Sequence, residues 1–107
     1  MTSVLLEFSM FPTSEDCRDG SSVSAQVSKI IDAIDKSGVP YQLTAMGTII
    51  EASSMKEALS IVELAYEQLD CNRVYSALKF DIRKNCQNRL KTKIKSVEDK
   101  LGRAVNN

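Results

Sequence analysis

Apolar residues recur along this chain with two different periods. Over residues 4–11, and again over residues 73–83, the alternation of apolar and polar residues is typical of strands with one buried face. The residues expected on that face are Val4, Leu6, Phe8 and Met10 in the first stretch and Val74, Ser76, Leu78, Phe80 and Ile82 in the second. Pro12 ends the first strand, because proline lacks the amide that a continuing ladder needs.

Two shorter strands are predicted in the middle of the chain, and the rest of the prediction depends on them. Residues 41–45 alternate in polarity, residues 48–52 contain β-forming Thr and Ile, and Gly47 provides a break between them. The second of these strands carries Thr48 and, three residues later, Glu51, the only carboxylate of the stretch. These two side chains are the first candidates for a site.

Three other segments have apolar residues at steps of three and four, as in amphipathic helices. Their apolar positions are Val23, Val27, Ile30, Ile31 and Ile34, then Ala58, Ile61, Val62, Ala65 and Leu69, then Leu90, Ile94, Val97 and Leu101. Gly38 and Pro40 end the first helix, and residues 54–57 (Ser-Met-Lys-Glu) match a capping box at the start of the second. The third helix is rich in lysine, and residues 102–107 are expected to fray.

The order βαββαβ with an additional C-terminal helix predicts an α+β fold, a ferredoxin-like antiparallel sheet in a single domain over residues 1–107. Right-handed crossovers place both main helices on one face. The other face mixes apolar residues with charges, which favours a partner, a lid or a ligand over plain solvent. Residues 13–21 are polar and are predicted to form a loop before the first helix.

Charge and composition exclude several classes of function. Fourteen basic residues balance fourteen acidic ones, so no overall field favours nucleic acid or an anionic membrane. No apolar run is long enough to span a bilayer and the N-terminus is unlike a signal peptide, so we expect a cytoplasmic protein. Histidine is absent, which removes the usual general base and the commonest zinc ligands. We therefore expect no metal site, no cofactor and no catalysis.

The three cysteines are odd in number and far apart in sequence, at positions 17, 71 and 86. This usage fits reduced thiols of a cytoplasmic protein better than a disulfide framework.

Two alternatives come from the outward face of the sheet. RNA recognition by stacking is disfavoured, because Leu5, Glu7 and Glu51 lie where that function needs aromatic rings, and carboxylates repel phosphate. An enzyme could instead use Glu7 and Glu51 as a carboxylate pair with one raised pKa. Each glutamate could equally be a solvated strand residue, and the domain could be a purely structural oligomer.

Four segments together resemble the small, YkoF-like thiamine-binding family. They are residues 22–24 (Ser-Val-Ser), 37–43 (Ser-Gly-Val-Pro-Tyr-Gln-Leu), 46–51 (Met-Gly-Thr-Ile-Ile-Glu) and 73–74 (Arg-Val). The resemblance runs over nearly the whole chain. It implies a ferredoxin-like fold, assembly as a dimer or tetramer, and binding of thiamine or its hydroxymethylpyrimidine part without catalysis.

The resemblance also implies a set of ligand-binding residues: Ser22, Ser24, Thr48, Glu51, Glu7 and Met46. A carboxylate such as Glu51 suits the amino edge of an aminopyrimidine, and Thr48 can bridge it to the serines. Ser22 and Ser24, with the free amides of the first helical turn, can bind a hydroxyl or phosphate, although either serine could simply cap the helix. On this basis Glu51→Gln should weaken ligand binding and leave folding nearly unchanged.

Overall fold

The computed structural model describes residues 1–18, 20 and 22–105 of the chain. Within them the order of elements is βαββαβα. The strands are β1 (Thr2–Pro12), β2 (Tyr41–Thr44), β3 (Gly47–Ala52) and β4 (Val74–Lys84), and the helices are α1 (Ser24–Ser37), α2 (Met55–Glu67) and α3 (Arg89–Leu101). The predicted ferredoxin-like α+β fold with an additional C-terminal helix is confirmed.

The predicted loop at residues 13–21 contains a short 3₁₀ turn, Glu15–Cys17. Residues 19 and 21 of this loop, and residues 106 and 107 of the predicted frayed end, lie outside the described residues. Across the part of the chain that the structure describes, no helix combines the length and apolar character needed to cross a bilayer.

The four strands form one antiparallel sheet in the order β2-β3-β1-β4. Leu6 of β1 faces Ile50 of β3 on one side and Phe80 of β4 on the other, so these residues share the inner face. Leu5 likewise faces Glu51 and Asp81 on the outer face. The predicted alternation of all three strands is therefore correct.

The core lies between the inner face and the two helices α1 and α2. It contains Val4, Leu6, Phe8, Met10, Ile30, Ile34, Ile50, Ala52, Ala58, Ile61, Ala65 and Leu69. Strand β4 is an edge strand that α1 and α2 cover poorly, because α1 packs on β1 and β2 and α2 packs on β1 and β3. Leu78 and Ile82 consequently stay 43% and 50% exposed although they point to the inner side.

The capping box of α2 forms in a modified way. The Ser54 hydroxyl accepts a hydrogen bond from the Glu57 amide at 3.0 Å, as predicted. The Glu57 carboxylate, however, accepts from the amide and hydroxyl of Ser53, one residue before the cap. Both pairings satisfy amides that would otherwise be unpaired at the helix start.

Helix α3 lies against β1 and β3 on the outer face of the sheet. The outer face, on which a partner, a lid or a ligand is expected from the sequence, is therefore covered at this end by the chain's own C-terminal helix. The α3 end of the sheet carries a helix on the outer side, while Tyr75 and Ala77 at the other end remain exposed.

Two of the three cysteines form a disulfide, which corrects the expectation of reduced thiols. Cys17 and Cys71 are 54 positions apart in sequence, and their Cα atoms lie 5.7 Å apart. They meet because β1 and β4 are antiparallel neighbours, so the segment that follows β1 runs beside the segment that precedes β4. Cys86 is a free, half-buried thiol.

Candidate functional site

A cavity of about 250 Å³ lies where the start of α1 meets the end of β1 and the β2–β3 turn. Its walls are mainly apolar and come from Phe8, Met10, Phe11, Val23, Val27, Ile30 and Leu43. Two predicted site residues, Thr48 and Met46, line it. Met46 is 85% exposed and therefore belongs to the rim rather than the floor.

Thr48 is the polar side chain best placed to hold a ligand in this cavity. It is 6% exposed and points to the inner side of the sheet. Its hydroxyl makes no hydrogen bond to another described residue and stays accessible to solvent, because no fully buried polar side-chain atom among the described residues lacks a partner. A ligand that enters the cavity can replace water at this hydroxyl and be oriented by a direct hydrogen bond to it.

The turn beside Thr48 is held by a second threonine. The Thr44 hydroxyl donates to the Gly47 carbonyl at 2.9 Å and accepts from the amides of Met46 and Gly47 at 3.2 and 3.1 Å. This side-chain-to-backbone arrangement fixes a tight turn without requiring a positive φ angle. The rim of the cavity is thereby held in one conformation.

Gly47 is required because the backbone of β1 approaches it closely, and not because of its own backbone conformation. A Cβ atom at this position would lie 2.7 Å from the backbone carbonyl oxygen of Phe8.

We predict that Gly47→Ala lowers the free energy of unfolding by about 1–3 kcal/mol, the usual cost of overpacking against atoms that cannot move aside. Denaturant unfolding measures the change, with Ala45→Ser at an exposed position of the same turn as control. A loss below about 0.5 kcal/mol would show that β1 shifts to accommodate the methyl group.

The two predicted serines lie at the start of α1. The N-cap position is Val23, which makes no side-chain cap, so neither serine caps the helix in the usual way. The Ser22 hydroxyl interacts with the amide and hydroxyl of Ser24 at 3.4 and 3.3 Å, near the upper limit for a hydrogen bond. Both serines are exposed and line a cavity of about 460 Å³, which shares Val23 with the Thr48 cavity.

A third, more open groove of about 730 Å³ runs between α1 and β2 and also shares Val23 with the Thr48 cavity. In this groove the Tyr41 hydroxyl donates a hydrogen bond to Asp35 at 2.8 Å. That hydrogen bond raises the pKa of Tyr41, with smaller contributions from desolvation and from the negative charge of Asp35. This hydrogen bond joins the edge strand β2 to α1 on one side of the groove.

Glu51 lies on the other side of the sheet, at the start of α3. One carboxylate oxygen accepts from the Ser3 hydroxyl at 2.7 Å and from the Arg89 amide at 2.9 Å. The other oxygen accepts from the Leu90 amide at 3.0 Å. Glu51 therefore caps α3 from a distance, because it satisfies amides of the first helical turn and places a negative charge near their partial positive charge.

Arg89 completes this cluster and is 8% exposed. Its guanidinium donates to the Ser3 hydroxyl and carbonyl at 2.9 and 2.8 Å, and to the Asp81 carboxylate and carbonyl at 2.9 and 2.6 Å. We call Ser3, Glu51, Asp81 and Arg89 the outer-face cluster. The cluster joins β1, β3, β4 and α3, so it positions the C-terminal helix on the sheet.

The outer-face cluster disfavours the carboxylate-pair alternative. Desolvation acts to raise the pKa of Glu51, but hydrogen bonds from Ser3, Leu90 and Arg89, with the Arg89 charge, lower it below its ordinary value. A general acid needs the opposite shift. Glu7 shares the outer face with Glu51, as predicted, but is exposed and faces Ile49 across the strands. The structure therefore does not give this pair the raised pKa on one carboxylate that a general acid needs.

The sequence matches the family described as thiamine-binding protein over residues 6–98. The chain belongs to the thiamine-binding protein family. This confirms the resemblance predicted from the four sequence segments. The match extends from β1 to the last turns of α3 and so includes the Thr48 cavity, the serines and most of the outer-face cluster.

Relatives in this family include archaeal proteins of similar length. The UPF0045 protein of Methanothermobacter thermautotrophicus is 34% identical over 84 residues, which cover 76% of this chain and 85% of that protein. The UPF0045 protein MJ1052 of Methanocaldococcus jannaschii is 33% identical over 99 residues, covering 91% and 94%. A crystal structure of MJ1052 superposes with a TM-score of 0.74 over 92% of this chain and 99% of that one.

A further structural neighbour is similar in fold alone. The crystal structure of a Thermotoga maritima protein named for thiamine biosynthesis or salvage has a TM-score of 0.60 at 22% identity, covering 85% of this chain and 96% of that one.

The predicted site residues of this family member thus divide between the two faces of the sheet. Thr48 and Met46 share one cavity, with Ser22 and Ser24 next to it, whereas Glu51 and Glu7 lie on the outer face. The odd spacing between Thr48 and Glu51 already implied opposite faces. Arg89 and Ser3 were missed, and their only signal in the sequence is a small polar residue at an outward position at the start of β1.

Proposed function

We propose that the protein binds thiamine or its hydroxymethylpyrimidine part in the Thr48 cavity, without catalysing a reaction on it. The observation that carries the proposal is the Thr48 hydroxyl, which bonds to no other described residue and lines a mainly apolar cavity, in a chain that belongs to a thiamine-binding family. Ligand pockets combine mainly apolar walls with a few polar groups that fix orientation.

The size of the cavity fits a single ring. Its volume of about 250 Å³ is slightly below the roughly 300 Å³ at which pockets for drug-sized molecules begin. The pyrimidine would lie between Val23 and Val27 on one side and the β2–β3 turn on the other, with Thr48 bonding its polar edge and Met46 covering the rim. The hydroxymethyl group, or the rest of thiamine, would point toward Ser22, Ser24 and the uncapped start of α1.

A direct ligand role for Glu51 or Glu7 stays a prediction. Glu51 already accepts three hydrogen bonds that hold α3, and these support a structural role. The lowered pKa of Glu51 keeps its carboxylate charged near neutral pH, which suits helix capping and does not suit general-acid catalysis. These observations support binding over the carboxylate-pair enzyme.

The experiment that tests the proposed function compares thiamine and hydroxymethylpyrimidine binding to wild type and Thr48→Val by titration calorimetry. Valine keeps the shape of threonine, and no protein hydrogen bond is lost, so folding should be unchanged. We expect binding to weaken by about 0.5–1.5 kcal/mol, or roughly two- to tenfold. Thr92→Val, at an exposed position of α3, is the matched control.

Two results would contradict the proposal. No heat from either ligand at concentrations well above about 1 mM would leave only affinities weaker than about −4 kcal/mol. If Thr48→Val binds the ligand as tightly as wild type, the ligand does not bind in this cavity.

We further propose that the protein works in the cytoplasm as a homo-oligomer, a dimer or tetramer. Strand β4 supports a dimer, because its unpaired edge and its exposed Leu78 and Ile82 invite pairing with a second copy. A two-fold axis at Phe80 would place each Lys79 opposite the other chain's Asp81 and each Leu78 opposite Ile82. A register shifted by two residues would oppose Lys79 to Lys79 or Asp81 to Asp81, which is unfavourable.

This register predicts the effect of a charge change. Light scattering should give at least a dimeric mass at micromolar concentration, and Lys79→Glu should raise the dissociation constant roughly three- to tenfold, because two cross-strand pairs become repulsive. Lys56→Glu, an equal charge change at an exposed position of α2, is the control. A monomeric wild type would refute assembly, and an unaffected Lys79→Glu dimer would refute this register.

A further inference from the structure

The groove between α1 and β2 adjoins the Thr48 cavity and differs from it in charge. It measures about 730 Å³ and shares Val23, Val27 and Leu43 with the cavity, so a ligand held in the cavity can extend into the groove. The other residues that line it are Ser24, Ser28, Ile31, Asp32, Asp35 and Tyr41. Among the described residues on its walls are two carboxylates and no lysine or arginine. The part of a ligand that enters this groove therefore meets negative charge.

The groove continues from the cavity by about one ring. Leu43 and Tyr41 both point to the inner side of the sheet and are about 6.6 Å apart at the rise of an extended strand. On the facing helix, Val27 and Ile31 are one turn apart, about 6 Å along the axis. A ligand with two adjacent rings can thus place one ring beside Leu43 and Val27 and the next beside Tyr41 and Ile31.

Tyr41 and Asp35 form the far wall of the groove. The Tyr41 hydroxyl donates to one Asp35 carboxylate oxygen at 2.8 Å, and the other oxygen accepts no hydrogen bond from a described residue. Asp32 is less available, because Lys36 pairs with it at 2.8 Å. Asp35 has no ion-pair partner at this distance among the described residues. Its charge is therefore the one that a cation in the groove would meet.

A polar group in the cavity points independently to a ligand beside this groove. Thr48 is 6% exposed, and its hydroxyl bonds to no other described residue. Thiamine consists of a pyrimidine and a thiazolium ring joined by a single methylene group. That methylene is the carbon that carries the hydroxyl group in hydroxymethylpyrimidine, and in both ligands it would leave the cavity past Ser24, which also lines the groove.

We propose that the groove between α1 and β2 is a subsite for the permanently cationic thiazolium ring of thiamine, and that Tyr41 and Asp35 select this cation over an uncharged pyrimidine. This inference rests on the proposed function. The aromatic ring of a tyrosine attracts a cation through its π electrons. The carboxylate adds Coulomb attraction, which is stronger beside apolar walls than in bulk water. Hydroxymethylpyrimidine has no charge in this position and gains neither contribution.

The test compares thiamine and hydroxymethylpyrimidine binding to wild type and Asp35→Asn by titration calorimetry. Asparagine keeps the shape of aspartate and an oxygen that can accept from the Tyr41 hydroxyl, but it lacks the charge. Thiamine affinity should fall roughly two- to fivefold, while hydroxymethylpyrimidine affinity should stay within experimental error. Asp99→Asn, the same change at an exposed position of α3, is the matched control and should leave both affinities unchanged.

Two further measurements separate a cation subsite from a structural wall. Tyr41→Leu should bind thiamine roughly two- to fivefold more weakly than Tyr41→Phe, because only phenylalanine keeps the aromatic ring, and the two variants should bind hydroxymethylpyrimidine equally. Added salt should weaken thiamine binding to wild type more than to Asp35→Asn and should not affect hydroxymethylpyrimidine.

The outcomes separate the subsite from the proposed function. If Asp35→Asn binds thiamine as tightly as wild type, or weakens both ligands equally, the cation subsite is refuted while binding in the Thr48 cavity stands. If neither ligand binds to wild type, the proposed function fails and the subsite with it. Weaker binding of thiamine alone in Asp35→Asn, together with the smaller salt effect, supports the subsite.

Discussion

Arg89→Met should lower the free energy of unfolding by about 2–4 kcal/mol. Arg89 is 8% exposed, and its guanidinium donates four hydrogen bonds, two of them to the backbone carbonyls of Ser3 and Asp81. Methionine fills much of the same space but leaves those carbonyls without their donors, and each unsatisfied buried group costs about 1–3 kcal/mol. The ion pair adds little to this sum, because the Asp81 side chain is 67% exposed.

Two further variants separate the causes of this loss. Arg89→Lys retains the charge but lacks the planar fork, so it should recover only a small part of the stability. Lys91→Met removes one positive charge from an exposed position of the same helix and should stay within about 0.5 kcal/mol of wild type. If Arg89→Met is as stable as Lys91→Met, the outer-face cluster does not hold α3 on the sheet.

Glu51→Gln should lower the free energy of unfolding by about 1–3 kcal/mol. The amide of glutamine would point a donor at either the Ser3 and Arg89 donors or the Leu90 amide, and the negative charge at the start of α3 would be lost. Glu7→Gln is a matched control, an exposed glutamate on the same face that should change stability little. From the sequence alone we expected Glu51→Gln to leave folding nearly unchanged, so denaturant unfolding decides between a helix cap and a ligand group.

The pH dependence provides a second test of Glu51. Its pKa is lower in the folded protein than its ordinary value of 4.5, so the folded state binds the proton less tightly than the unfolded state. The stability that Glu51 contributes is therefore fully present above pH 4.5 and is lost as the pH falls through the folded pKa. Glu51→Gln should lack this acid-dependent part. A wild type and variant with parallel stability profiles below pH 4.5 would contradict the hydrogen bonds at this carboxylate.

The fold could be predicted from the sequence because its core strands and helices have unambiguous periods. Leu6 and Phe8 of β1, and Ile50 and Ala52 of β3, recur at every second position and are buried, and Ile30 and Ile34 of α1 belong to the same core. Chain order and the handedness of crossovers then leave few arrangements of four strands. Each of these signals is local, so each can be recognised without knowing where the rest of the chain lies.

The site could be predicted only in part because it depends on distant residues. The alternation of side chains along the strands correctly places Glu7 and Glu51 on one face. It cannot show that the Arg89 side chain, on a helix with many exposed lysines, bonds to the sheet. Thr48 and Glu51 are both candidates from the sequence, and their odd spacing places them on opposite faces, but the sequence does not show which face has the cavity.

The Cys17–Cys71 disulfide could not be predicted from the number and spacing of the cysteines alone. Cys17 follows β1 closely and Cys71 precedes β4 closely. Once β1 and β4 are known to be antiparallel neighbours, these two segments must meet. Counting cysteines and comparing their spacing misses this, because the relevant distance is measured across the sheet.

The central claim is that a thiamine-like pyrimidine binds in the Thr48 cavity on the inner side of the sheet. The most direct test is to titrate hydroxymethylpyrimidine into isotopically labelled protein and follow the backbone amide resonances. We predict that the largest shifts occur at Gly47, Thr48 and Ser24, while Arg89 and Leu90 change little because they lie on the outer face at the start of α3. Shifts centred on Arg89 and Leu90, or no shifts at any residue, would contradict this account.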